Sequence, residues 1–173
     1  AVHAGWRVDP PVHRIEGGGN YGWPCLHGRL PNKDDGDFWK TSKGACARLR
    51  DRGALRSPEF IDPGRESGDN TPGYAGLDFV ARCEAYGPDV VGNLVWASAD
   101  GRLFRAKLAP PTYRQISAVD TRWATLRFPV DVATGPDGRL YVADLAGTVV
   151  RVVPARPIPS DACAPARPAV QGR

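Results

Sequence analysis

The residues of this sequence whose types could do chemistry are three histidines, four cysteines and a short run of carboxylates. His3, His13 and His27 share no metal-ligand spacing, so no zinc site or histidine-centred base is read from them. Asn32, Asp34, Asp35 and Asp37 suggest calcium. An EF-hand loop needs Gly at its sixth position and Glu at its twelfth, and no register here supplies both, so the run reads as a solvated turn. Cys25, Cys46, Cys83 and Cys163 are even in number and lack C-x-x-C spacing, which argues against a zinc ribbon. They fit disulfides in an oxidising compartment or buried thiols in a reducing one. In the disulfide reading, Cys25–Cys46 closes a short loop, and Cys83 pairs with Cys163 or with a cysteine upstream.

No Gly-x-Ser-x-Gly elbow, phosphate-binding P-loop or dinucleotide fingerprint appears, so a serine hydrolase or nucleotide enzyme is not supported. The net charge of +4 comes from scattered arginines, not from a basic stripe with interleaved aromatics, so no nucleic-acid partner is expected. No apolar stretch approaches the roughly twenty residues of a membrane span. The sequence lacks Met and opens Ala1-Val2-His3 without a signal-peptide pattern, which predicts a mature chain or a fragment. No Asn-x-Ser/Thr sequon is present, since Asn70-Thr71-Pro72 places Pro where the hydroxyl residue belongs.

The elements that position these residues are short strands. Twenty Gly and seventeen Pro make the chain turn-rich and disfavour long helices. The decisive pattern is an internal repeat. Residues 92–107 align with residues 138–153 at an offset of 46, placing Gly92 on Gly138, Leu94 on Leu140, Ala97 on Ala143, Gly101 on Gly147 and Arg105 on Arg151. That period is typical of propeller blades. Each copy reads as strand, tight turn, strand, with Asp100-Gly101 and Ala146-Gly147 in the turns. The strands are apolar on both faces, as in a blade sandwiched between neighbours.

Further strands are expected at Pro129–Thr134, at Leu77–Val80, at Tyr113–Val119 and, as the close of an earlier blade, at Val12–Ile15. The chain then divides into residues 1–25, the end of a preceding blade; 26–76, a loop-rich insertion with a short strand at Pro58–Ile61; 77–153, the last two blades; and 154–173, a Pro/Ala/Arg-rich tail. The fold class is all-β, a partial β-propeller of about three blades with a long loop insertion. Closed rings have four to eight blades, so further blades from the same precursor or from another chain are the expected partners.

Asn20-Tyr21-Gly22-Trp23-Pro24 resembles a segment of the soluble quinoprotein (glucose/sorbosone dehydrogenase-like) sugar dehydrogenases. Related domains often continue with Cys, an aromatic, an acidic residue and Gly; here Cys25-Leu26-His27-Gly28 keeps only the Cys and the Gly. Residues 128–144, Phe-Pro-Val-Asp-Val-Ala-Thr-Gly-Pro-Asp-Gly-Arg-Leu-Tyr-Val-Ala-Asp, are similar to the family's last-blade signature.

The resemblance implies a six-bladed ring with pyrroloquinoline quinone (PQQ) and calcium at its mouth, and a histidine base on an earlier blade. Tyr21 and Trp23 then match aromatic positions near the cofactor, and Arg102 and Arg105 lie where the family places cofactor-binding arginines. The family's lysine has no counterpart in Arg82-Cys83-Glu84-Ala85-Tyr86-Gly87, and its histidine base and calcium loop fall upstream of Ala1. Two functions follow. One is an extracellular propeller scaffold or binding module, recognising carbohydrate or an extracellular protein and incomplete as a catalyst in this chain. The other is the C-terminal part of a PQQ- and calcium-dependent sugar or polyol dehydrogenase.

Overall fold

The computed structural model describes residues 11–21, 26–27, 30–31, 48, 52–53, 55–62 and 73–164. Among the described residues, four antiparallel sheets account for the strands. β1 (Pro11–Val12) pairs with β4 (Phe60–Ile61), and β2 (Leu26–His27) pairs with β3 (Leu30–Pro31). A four-stranded meander follows, built from β5 (Tyr74–Phe79), β6 (Leu94–Ser98), β7 (Arg102–Leu108) and β8 (Ile116–Thr125). The last sheet contains β9 (Pro129–Thr134), β10 (Leu140–Asp144) and β11 (Thr148–Arg151). Between β5 and β6 lies one helical turn, α1 (Cys83–Tyr86). The expected strand at 129–134 is β9 with the same ends; those at 58–61, 77–80 and 113–119 overlap β4, β5 and β8 with shifted ends, and that at 12–15 shares only Val12 with β1.

The 46-residue repeat is a repeat of hydrogen-bonded rungs. Val95↔Arg105, Trp96↔Phe104, Ala97↔Leu103 and Ser98↔Arg102 recur as Tyr141↔Arg151, Val142↔Val150, Ala143↔Val149 and Asp144↔Thr148. The turns repeat too: the Gly101 N–H donates to the Ser98 carbonyl at 3.0 Å and the Gly147 N–H to the Asp144 carbonyl at 2.9 Å. Both glycines sit at positive φ, +93° and +86°, a conformation that a residue with a Cβ resists.

Two hydrophobic layers flank the four-stranded blade. On one face Val95, Ala97 and Leu103 pack against Val132, Leu140 and Val142 of the next blade, with Ala85 and Tyr86 of α1. On the other face Leu94, Trp96, Phe104 and Ala106 pack with Tyr74, Val12 and Phe60. Trp96 and Phe104 stack with ring centroids 5.1 Å apart and planes 14° from parallel, and Phe60 lies 5.5 Å from Trp96. A sheet covered on both sides explains why β6, Leu-Val-Trp-Ala-Ser, is buried along its whole length.

Successive blades are stapled at their first strands. The Asp78 carboxylate accepts the Thr134 N–H at 2.6 Å, and the Thr134 hydroxyl donates to the Phe79 carbonyl at 2.8 Å. The approach is close enough to need glycine: a Cβ on Gly76 would overlap the Asp131 side chain and sit 2.5 Å from the Val132 backbone nitrogen. After β11 the chain turns back over the preceding blade. Ile158 lies beside Gly87, and Cys163 is disulfide-bonded to Cys83 with Cα atoms 5.8 Å apart. The Cys83–Cys163 alternative is therefore the pairing found, and Cys25 and Cys46 lie outside the described residues.

Together these sheets form an arc of a β-propeller: one four-stranded blade, one three-stranded blade and the β1–β4 remnant of a third. Among the described residues no helix is long and apolar enough to cross a membrane.

Candidate functional site

The strand-connecting turns 99–101 and 145–147 and the inter-blade link 126–128 gather at one end of the arc. Hydrogen bonds hold them together: the Leu126 N–H donates to the Gly101 carbonyl at 2.7 Å, and the Leu145 N–H to the Phe128 carbonyl at 2.9 Å. The Asp144 carboxylate completes the junction by accepting the Phe128 and Ala146 N–H groups, each at 2.8 Å. Those two backbone donors, with the Arg127 charge nearby, hold its carboxyl below the ordinary carboxylate range. Asp144 is thus an ionised structural pin.

At this end Arg102 begins β7. Its Nε donates to the Asp100 carboxylate at 2.7 Å, and its terminal nitrogen lies 2.8 Å from the buried Asp62 carboxylate. The second contact is an ion pair rather than an aligned hydrogen bond. The guanidinium also lies over the Phe104 ring, 4.6 Å from its centroid. One cation is therefore shared between two carboxylates and an aromatic face. Such a group is already neutralised and held flat, which leaves it poorly disposed to take a ligand's carboxylate.

Arg105 does not join it. The two arginines are three residues apart on one strand, so the alternation of side chains sends them to opposite faces. Arg102 accompanies Phe104 and the Trp96 layer; Arg105 pairs with Val95 on the side facing the last blade. There its guanidinium stands 5.7 Å from the Trp123 ring centroid and 3.9 Å from Asp120, its cross-strand neighbour. Tyr21 closes a local loop: its ring meets His13 edge-on at 5.2 Å, and its hydroxyl is hydrogen-bonded to the Glu16 backbone. His13 is therefore a packing partner of Tyr21. Trp23, His3 and the Asn32–Asp37 run lie outside the described residues.

The structure thus separates Tyr21, Arg102 and Arg105 into three environments. Arg102 and Arg105 do not converge on a point where the carboxylates of a bound PQQ could meet both. Among the described residues no cluster of three or more His, Cys, Asp or Glu side chains could hold a metal ion. Asp62 and Asp100 were the residues not singled out by sequence. Asp100 is visible there only as a turn residue, and Asp62 is brought up by the β1–β4 pairing across a long stretch of chain.

Concavities among the described residues include two away from this end. At the opposite end of the blades a cleft of about 520 Å³ is lined by Arg82, Glu84, Asp137 and Arg139, with charges in balance. Asp137 is held below its usual range by the Arg139 N–H and the Tyr141 hydroxyl. A smaller, more apolar cavity of about 220 Å³ lies where Val12 and His13 meet Leu77, Leu94 and Ile116.

Comparison with known proteins follows the same lines. The strictosidine synthase-like, N-terminal family model matches residues 126–152, which contain the last blade. Two glucose dehydrogenase structures superpose with TM-scores of 0.60 and 0.58, at 17% and 18% identity, covering 89% and 90% of this chain and 40% of theirs. An oxidoreductase from Thermus thermophilus, described as a glucose dehydrogenase, is 25% identical over 79% of this chain and 31% of its own, with a TM-score of 0.49. No curated protein sequence matches the chain. The chain spans 31% to 40% of the length of these three structures. At the level of fold, the expected partial propeller is what the structure contains, and the two superposed structures share that fold.

Proposed function

We propose that this chain is an arc of a propeller scaffold or binding module, derived from the quinoprotein sugar dehydrogenase-like family and incomplete as a catalyst. The observation that carries the reading is the engagement of Arg102 between Asp62 and Asp100 while Arg105 faces the other side of the blade. The absence of a lysine from residues 82–87 points the same way. An oxidising, extracellular setting is supported by the Cys83–Cys163 disulfide. Its partners are the remaining blades and, at the ring's surface, carbohydrate or an extracellular protein.

The second reading, a fragment of a PQQ- and calcium-dependent sugar or polyol dehydrogenase, draws on the likeness to glucose dehydrogenase structures. Fold alone does not carry an activity. The test is reconstitution of the full-length polypeptide with PQQ and calcium, followed by dye reduction with aldoses. The scaffold reading expects neither a bound-quinone spectrum nor turnover; either one, appearing with stoichiometric cofactor uptake, would favour the dehydrogenase.

A further inference from the structure

The charged cleft at the end of the blades away from Arg102 is put together from two turns. Arg82 and Glu84 flank Cys83 at the start of α1, which is fixed by the disulfide to Cys163 and by the burial of Ala85. Asp137 and Arg139 belong to the turn Gly135-Pro136-Asp137-Gly138 that leads into β10. The two turns meet because Gly138 has no side chain. A Cβ there would lie 2.5 Å from Cδ and 2.7 Å from Cβ of Arg82, so the arginine stem lies across the glycine. The Asp137 carboxylate is fixed at both oxygens, one accepting the Arg139 N–H at 3.1 Å and the other the Tyr141 hydroxyl at 3.0 Å.

The charges are not a requirement of the turn. At the 46-residue offset Gly92 has the same conformation, φ +76° against +77° for Gly138, with Val91 and Asn93 in place of Asp137 and Arg139. There Asn93 is buried and donates to the Asp89 carbonyl at 2.9 Å, and nothing lies within 4 Å of a Cβ on Gly92.

Nor do the charges cancel one another. Among the described residues Arg82 and Glu84 form no ion pair, and Arg139 reaches Asp137 only at 4.0 Å, the outer limit of such a contact. Two cations and two anions held apart around about 520 Å³ leave room for a molecule between them, within the size range of small-ligand sites. A simple anion would meet the two carboxylates, and a metal cation the two guanidiniums. A molecule carrying both signs satisfies all four groups, since guanidiniums take a carboxylate bidentately and carboxylates accept from an ammonium.

We infer that this cleft binds a small zwitterion, an amino acid or a dipeptide, with its carboxylate on Arg82 and Arg139 and its ammonium on Asp137 and Glu84. The inference goes beyond the scaffold reading and uses neither PQQ nor calcium, so reconstitution with them can give either result without touching it.

The experiment is isothermal titration calorimetry of the full-length polypeptide at low ionic strength with glycine and with glycylglycine. An open, solvated cleft of this kind should bind one of them with a Kd on the order of 1 mM. Whichever binds tells a free amino acid from a peptide. Its N-acetyl form, which keeps the carboxylate but not the ammonium, and its C-terminal amide, which keeps only the ammonium, should each bind about tenfold or more weakly. Arg82→Gln and Asp137→Asn should each lower affinity by about the same factor. Arg82 is exposed and its glutamine variant can still cross Gly138, so that arm reads binding in a folded protein, with the thermal midpoint as the check. No saturable binding of either compound would overturn the inference. So would acetyl or amide forms that bind as tightly as the parent, which would make the cleft a simple anion or cation site. Unchanged affinity in Arg82→Gln would overturn it as well, by placing the binding elsewhere.

Discussion

The hydroxyl of Tyr86 accepts the Leu140 N–H at 2.7 Å and donates to the Val152 carbonyl at 2.8 Å, so one phenol links α1 of one blade to the start of β10 and to the residue just after β11 in the next. Burial raises its pKa above the ordinary 10.0, outweighing the Leu140 N–H that favours the phenolate. Tyr86→Phe keeps the ring against Trp123, 5.8 Å away, but removes both bonds. The expected loss is about 1–3 kcal/mol, since a buried N–H and a part-buried carbonyl lose their partner. Because the folded pKa is raised, this contribution is present below pH 10.0 and lost as pH rises through the higher folded value. Urea melts of wild type and variant between neutral and alkaline pH should therefore converge at the alkaline end.

The Cys83–Cys163 bond spans 80 residues of sequence and encloses β6, β7 and β8 of the complete blade and all three strands of the last one. In the chain-entropy account, a cross-link of that span stabilises by about 4–5 kcal/mol. Cys163→Ser should lower the thermal midpoint substantially, and a reducing agent should bring the wild type to the variant's value. Differential scanning fluorimetry with and without reductant checks this. Equal midpoints for the oxidised wild type and the variant would show that the tail contributes nothing.

Asp144 and its two N–H donors predict a characteristic acid limb. Its folded pKa lies below the ordinary 3.8, so its contribution is complete above that value and is lost as pH falls through the lower, folded one. Asp144→Asn should reduce stability at neutral pH, because an amide is a weaker acceptor for Phe128 and Ala146. The difference from wild type should then shrink below pH 3.8. Chemical denaturation across that range, read by tryptophan fluorescence, gives the comparison.

Gly101 and Gly147 occupy the same turn position in successive blades, yet alanine should not cost the same at each. At Gly147 nothing lies within 4 Å of an added Cβ, so the substitution meets only the strain of a positive φ, about 1–3 kcal/mol. At Gly101 the Cβ would also fall 2.5 Å from the Leu126 carbonyl oxygen, in a link that must stay closed between blades. The loss should be measurably greater there, and equal losses by thermal melting would contradict the packing described.

What could be seen in the sequence, and what could not, divides by range. The hairpins were legible because their rungs, turn glycines and apolar positions recur 46 residues apart. β8 is legible in the sequence only to Val119 because the charged Asp120 and Arg122 break the apolar pattern; β7 pairs with this stretch across a bulge regardless. β5 begins at Tyr74, before the expected Leu77, since Gly76 serves contact with the next blade rather than ending the strand. Arginine parity was readable in principle: a spacing of three on one strand already puts Arg102 and Arg105 on opposite faces. The Asp62 contact was not readable, because it depends on a pairing between residues near 11 and near 61 that leaves no local pattern.

The coincidence of the two hairpins rung for rung has a consequence for ancestry. Their joints are interchangeable: a stretch cut after one turn glycine and rejoined after the other changes the tally of units by one while preserving every paired position within each. Misaligned recombination between such tandem coding units would lengthen or shorten the gene in steps of about 138 nucleotides, three per residue of the 46-residue offset. Gene lengths among its kin should then cluster at that interval, a signature that genomic comparison can read without expressing the protein.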